Sequence, residues 1–89
     1  MSLSNVFINN LPSLDLHGYD RETARVAIND FIKEQKQLKK ETVLIIHGRG
    51  TGILRKTTNE VLKHNRDVIE HQIDFFNDGT TIVRISIWQ

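Results

Sequence analysis

An α/β two-layer sandwich with the element order βαβαββ is the fold class this sequence predicts. Three observations carry it. Short apolar runs of strand character alternate twice with longer stretches whose apolar residues recur at helical spacing. The last two apolar runs follow one another with only Asn77-Asp78-Gly79 between them, a turn signal. The second run, Val43-Leu44-Ile45-Ile46, is continuously apolar, as befits an interior strand covered on both sides.

Residues 1–12 stand apart as an arm, mixing Asn5, Asn9, Asn10 and Pro12 with Val6, Phe7 and Ile8; the domain proper is residues 13–89. Ser13–His17 reads as the first strand. Leu14 and Leu16 share one face, Asp15 and His17 the other, and Gly18 ends it. Asp20 is a natural N-cap for a helix over 21–39, whose apolar face is Ala24, Ala27, Ile28, Phe31, Ile32 and Leu38. Glu41–His47 is the second strand. Gly48, Gly50 and Gly52 form a loop, and a second helix over 53–64 buries Leu54, Val61 and Leu62. Val68–Phe75 is the third strand and Thr81–Trp88 the fourth, with Val83, Ile85 and Ile87 alternating against Arg84, Ser86 and Trp88. Right-handed βα crossovers make the first two strands parallel, and both helices fall on one face.

Size and composition narrow the function. Eighty-nine residues make one domain, which buries only about 60–65% of its unfolded surface. The chain has no cysteine, which removes disulfides, thiolate metal sites and thiol nucleophiles and fits a reducing compartment; the expected location is the cytoplasm. The longest apolar run is far short of a membrane span, and the first residues lack the basic and apolar regions of a secretory signal. A net charge of +1 excludes a protein that coats nucleic acid by bulk electrostatics, so any such contact comes from a local basic patch.

Two short histidine motifs, LDLHG at 14–18 and IIHGRGTG at 45–52, concentrate the chemistry. Each runs as a strand into a histidine and then breaks into glycine. Ligands gather beyond the carboxyl ends of strands in open α/β sheets, and both motifs end there. Gly48, Gly50, Thr51 and Gly52 open the second helix, where unpaired amides and the helix dipole favour phosphate. Arg49, Arg55 and Lys56 add full positive charges, and Arg84 is expected to extend the patch. Histidine titrates near neutrality, so one of His17 and His47 can act as base and the other as acid. Asp15 is placed to orient His17 or raise its basicity. GRGTG is neither the dinucleotide fingerprint nor a Walker loop. A glycine-rich turn of this kind is often no more than a tight turn, and either histidine alone could be a strand-end residue tied to backbone. His64, His71, Trp88 and the lysines Lys33, Lys36, Lys39 and Lys40 read as ordinary scaffold or helix-end residues. His17, His47 and Asp15 could together ligate a metal, but the few carboxylates nearby argue against a dedicated metal cage, and no metal site is expected.

LDLHG, an amphipathic helix, then a hydrophobic strand running into HGRGTGILR resembles the small MutS-related (Smr) domain over residues 13–87. The resemblance implies a sandwich like the C-terminal domain of translation initiation factor three, with the fourth strand inside the sheet and a strand order of 1-2-4-3. It implies nicking of DNA or cleavage of RNA, including RNA cleavage in ribosome-rescue settings. It carries functional positions onto Asp15, His17, His47, Gly48, Arg49 and Gly50, with Thr51, Gly52 and Arg55 following. FFNDGTT is shorter than the glycine-rich segment the family often has before its last strand.

The leading expectation is thus an endonuclease with Asp15, His17, His47 and Arg49 at its centre and nucleic acid, DNA or RNA, as partner. RNA cleavage would use the ribose 2′-OH and need no cofactor; DNA nicking would need a water nucleophile and a divalent metal, Mg or Mn. Two other readings stand beside it. One is a non-catalytic module that binds nucleic acid or ribosomes. The other is a protein-interaction domain that uses the arm Val6-Phe7-Ile8.

Overall fold

The computed structural model describes residues 11–88. Its elements are β1 (Ser13–Asp15), α1 (Arg21–Gln37), β2 (Thr42–Ile46), α2 (Ile53–His64), β3 (Val68–Asp74) and β4 (Asn77–Ile85). The four strands form one mixed sheet in the order β1-β2-β4-β3. β1 and β2 run parallel, while β4 lies antiparallel to both β2 and β3. The predicted fold class and strand order are therefore those of the molecule. The arm reading falls largely outside the described residues.

Burial explains the central position of β2 and β4. Val43 and Ile45 face the helices, joining Leu16, Ala24, Ile28, Ile32, Leu62, Val83 and Ile85 in the main core. Leu44 and Ile82, paired across β2 and β4, point to the opposite face and form a second small cluster with Leu11. β2 is continuously apolar from Val43 to Ile46, as a strand covered on both faces is, while β4 carries Thr80, Thr81 and Arg84 among its apolar residues.

The helices start and stop for local reasons. The Asp20 carboxylate accepts the Thr23 amide at 2.8 Å and caps α1, as predicted. That hydrogen bond holds the Asp20 carboxyl below its ordinary range. α1 ends two residues earlier than its periodicity suggests. Lys39 takes a left-handed φ of 61°, the Lys39 amide donates to Lys36 O at 3.0 Å, and the Lys40 amide donates to Gln35 O at 2.9 Å. This is a Schellman closure built on lysine instead of the usual glycine, so the sequence carries no stop signal there. Leu38 consequently leaves the apolar face and is exposed. Lys36 reaches across to Asp67 at 2.8 Å, fixing this end of α1 to the segment before β3.

The largest departure is at the β3–β4 connection. Asn77-Asp78-Gly79 is not the hairpin turn; the turn is Phe75-Phe76, between paired Asp74 and Asn77. One step along β3, from Ile73 to Asp74, matches four along β4, from Thr81 to Asn77. Asp78, Gly79 and Thr80 therefore form a bulge that leaves β3 and serves β2, where Thr80 pairs with Ile46. The Asn77 side chain closes the bulge by accepting the Gly79 amide at 3.0 Å. Asparagine's turn chemistry is used, but inside a strand.

Leu16 links core to site: it is fully buried, and the residue after it is His17. Leu16→Ala should cost about 2–5 kcal/mol in urea denaturation, within the range for fully buried leucines. A cost under about 1 kcal/mol would show that the end of β1 is not anchored as described.

Candidate active site

β1 delivers the first motif through a tight turn. The Leu16 amide donates to Ile46 O at 2.9 Å, and the Tyr19 amide donates to Leu16 O at 3.0 Å. Gly18, third in this four-residue turn, has φ 81°, the type II pattern that requires glycine. Asp15 Oδ1 accepts the His17 main-chain amide at 2.9 Å. Asp15 thus orients His17 through its backbone, and its recorded contact is not with the imidazole. Both side chains are exposed, and the His17 ring makes no hydrogen bond to another described residue.

β2 delivers the second motif to the neighbouring strand end, since Asp15 pairs with Ile46. Parallel neighbours lie about 4.8 Å apart, so the two motifs leave the sheet side by side. The side chains diverge. His47 continues the helix-facing register of Val43 and Ile45 and is only 7% exposed. Its Nε2 lies 2.9 Å from the Thr81 hydroxyl and its Nδ1 3.1 Å from Gly48 O. A carbonyl only accepts, so Nδ1 carries the proton and Nε2 accepts from Thr81. Burial pushes the His47 pKa below its ordinary 6.5; the nearby Arg55 charge adds to that, while the Gly48 carbonyl and Asp78 oppose it.

The bulge in β4 docks onto the loop after His47. Gly79 O accepts both the His47 and Gly48 amides, each at 2.9 Å. The approach is close: a Cβ at Gly79 would sit 3.3 Å from the Gly48 Cα and carbonyl carbon. Gly48 itself has φ 79°. The next residue, Arg49, pairs with Asp78 at 2.6 Å, with both side chains mostly exposed.

The start of α2 differs from that of α1. Gly52, left-handed at φ 87°, is the N-cap and has no side chain to accept an amide; the Thr51 hydroxyl accepts the Ile53 amide at 3.4 Å, and the first turn carries no acidic residue. Arg55 and Lys56 are exposed in that turn. A glycine-capped helix start without acidic residues and with added cations favours an anion. Beside it a cleft of about 400 Å³ runs between Tyr19, Asp20 and Arg21 on one side and Thr51, Ile53 and Leu54 on the other. The cleft thus lies between residues at or just beyond the ends of the two motifs, and its lining does not include His17, His47 or Arg49. Lys56 also lines a groove of about 470 Å³ between α1 and α2, with Arg21 and Arg25.

Asp15, His17, His47, Gly48, Arg49, Gly50, Thr51, Gly52 and Arg55 thus lie at one end of the molecule. Arg84 does not. It pairs with Thr42 at the far end of β2, and its guanidinium is held by Glu70 at 2.8 Å and Glu41 at 3.6 Å. Its outward register is as read from the sequence, but it serves a surface ion-pair network, not the basic patch. Trp88, exposed, also lies beyond the far end of β4. Among the described residues, no group of three or more His, Cys, Asp or Glu side chains is placed to hold a metal ion. No helix among them is long and apolar enough to cross a membrane. Sequence reasoning missed Asp78, Gly79 and Thr81. Their signals were Asn77-Asp78-Gly79, whose turn chemistry points first to a hairpin, and the FFNDGTT segment set beside the family's longer glycine-rich one.

The Smr domain family model matches residues 14–86. Proteins named endonuclease MutS2 are among the most similar relatives. That of Clostridium perfringens strain SM101 is 34% identical over 76 residues, covering 85% of this chain and 10% of the relative. That of Clostridium botulinum strain Langeland is 36% identical over 73 residues, covering 82% and 9%. The chain spans about a tenth of the length of these relatives. Among solved structures, the Smr domain of Thermus thermophilus MutS2 superposes with a TM-score of 0.81 at 26% identity, covering 84% of this chain and 98% of that one. YdaL, a stand-alone small MutS-related protein from Escherichia coli, gives 0.77 at 26% identity, covering 82% and 63%.

The buried, neutral His47 makes stability depend on pH. The unfolded chain takes up a proton near pH 6.5, whereas the folded chain does so only at lower pH. The contribution is fully present above pH 6.5 and is lost as pH falls from there through the folded value. Urea denaturation at steps between pH 7.5 and 5 should show this loss, and His47→Gln should flatten it. An identical pH slope in the two proteins would contradict the assigned state of His47.

Proposed function

This chain belongs to the Smr domain family, and on that footing we propose that it is a nucleic-acid endonuclease whose scissile phosphate sits between His17, Arg49 and the first turn of α2. The observation that carries the reading is the pairing of two features at adjacent strand ends. One is an exposed imidazole set by a glycine turn; the other is a glycine-capped, basic helix start.

Each residue has a role that follows from its surroundings. Arg49 and the α2 amides bind phosphate oxygens and stabilise the charge that grows on them during transfer. The Arg49–Asp78 pair is exposed, so it contributes roughly 0–1 kcal/mol and yields to a phosphate at small cost. His17 is the proton acceptor. On RNA it takes the 2′-OH proton, the 2′-oxygen attacks phosphorus, and the 5′-oxygen leaves with a proton from water. The products are a 2′,3′-cyclic phosphate and a 5′-hydroxyl, and no metal is needed. His47, with both nitrogens engaged, is a positioning residue in this reading: it holds the loop that carries Arg49. Gly48, Gly50, Thr51, Gly52, Arg55 and Lys56 shape and charge the phosphate seat. On DNA, which lacks the 2′-OH, a divalent metal such as Mg or Mn would supply an activated water. The described side chains form no cage for it, so substrate phosphates would have to complete its coordination.

A second reading, a non-catalytic module for nucleic acid or ribosomes, draws on the engagement of His47, which leaves His17 as the one exposed imidazole of the two motifs. The two readings separate on labelled RNA in chelator. Wild type should cut it, a single 2′-deoxy substitution at the scissile position should block cutting, and His17→Ala should be at least about 100-fold slower with binding retained. Equal cutting of both strands would remove the internal nucleophile. Binding without cutting of RNA, duplex or branched DNA, with or without metal, would leave the module.

A further inference from the structure

The turn that displaces Asn77-Asp78-Gly79 consists of two aromatic residues. Phe75 and Phe76 are 91% and 88% exposed. Their rings meet each other edge to face, with centroids 5.3 Å apart, and neither joins a core cluster. Folding gains little from side chains left in water, and hairpin turns ordinarily recruit Gly, Asn or Asp, not adjacent phenylalanines. The tip is nonetheless well anchored. The Phe76 amide donates to Asp74 Oδ1 at 3.0 Å, and Asp74 is itself buried. The strand then passes directly into Asp78, which holds Arg49, and Gly79, which holds the His47–Gly48 loop. Two residues, Asn77 and Asp78, separate Phe76 from Gly79, at most about 11 Å of chain. An aromatic tip thus leads directly into the segment that holds Arg49 and the His47–Gly48 loop.

We infer that Phe75 and Phe76 form a base-stacking tip that grips unpaired nucleobases of the strand whose phosphate sits at Arg49 and the α2 N-terminus. The inference rests on the phosphate seat assigned under the proposed function and adds the substrate class: nucleic acid with unpaired bases beside the bond to be cut. The occupant follows from chemistry. Within a duplex both faces of each base are covered by its neighbours, so an exposed ring finds no partner there. A single strand, loop or flap offers base faces that stack on aromatic side chains regardless of sequence. Continuity with a basic seat favours a polyanion whose repeating unit carries its own flat apolar surface. An edge-to-face ring pair, open on its outer surfaces, offers platforms to such a strand.

The experiment compares wild type with Phe75→Ser/Phe76→Ser, a change outside the core, by fluorescence anisotropy at one salt concentration. The probes are a 2′-O-methyl single strand, which cannot supply the internal nucleophile, its blunt duplex, and a strand of the same length with abasic sites. The double variant should lose about 5- to 150-fold in affinity for the single strand, the range for one stacked base. Its affinities for the duplex and the abasic strand should match wild type, and Phe75→Trp/Phe76→Trp should bind the single strand at least as well as wild type. Unchanged single-strand affinity in the serine variant would overturn the inference, as would an equal loss on the abasic strand. A wild-type dimer that becomes monomeric in the variant with nucleic-acid affinity unchanged would show instead that the tip joins two copies of the chain. Scission of RNA is scored separately. Base-dependent binding without scission removes the nuclease and leaves the tip; scission indifferent to the tip does the reverse.

Discussion

The Gly79 carbonyl is the fixed point of this molecule's functional end. It accepts the amides of both His47 and Gly48, and it does so because the β4 bulge carries it away from β3 toward the end of β2. A side chain at residue 79 would press against Gly48. Beyond this contact the chain turns left-handed at Gly48, Arg49 pairs with Asp78, and Gly52 starts α2. The first two amides of the loop are thus held by one bifurcated acceptor, and Arg49 by the neighbouring Asp78.

That constraint divides the labour between the two histidines. His47 follows the helix-facing register of β2, so it is buried and its nitrogens are engaged by Thr81 and Gly48. Its value lies in staying neutral, since a proton on Nε2 would end the acceptance of the Thr81 hydroxyl. His17 leaves β1 in the other register, through a glycine turn that ends in solvent. The motifs look alike on paper because both are strand-to-glycine transitions. In the fold one imidazole is buried against the scaffold and the other is exposed.

Most of the architecture was legible because it rests on periodicity. Alternation placed Leu14 and Leu16 against Asp15, helical spacing defined α1 and α2, and the unbroken Val43–Ile46 run marked an interior strand. What escaped was decided by tertiary contact. Lys39 adopts a conformation that glycine usually signals, which ended α1 early and exposed Leu38. Asn77-Asp78-Gly79 was correctly seen as turn chemistry, but pairing with β2 made it a bulge and moved the hairpin tip to Phe75-Phe76. Arg84 lay on the outward face as read, yet register across β2 put it at the wrong end, beside Glu41 and Glu70. Which end of a strand faces which loop depends on pairing partners distant in sequence, and a single chain read linearly does not hold that information.

Amide hydrogen exchange at His47 and Gly48 tests the central contact most directly. If Gly79 O holds both amides, they should exchange slowly, with protection approaching that of Leu44 within β2, and Gly79→Ala should speed both while leaving Leu44 protected. Exchange of His47 and Gly48 at unstructured rates in the unaltered protein, beside a protected Leu44, would mean that the loop is not held by the bulge and that the site has no fixed frame.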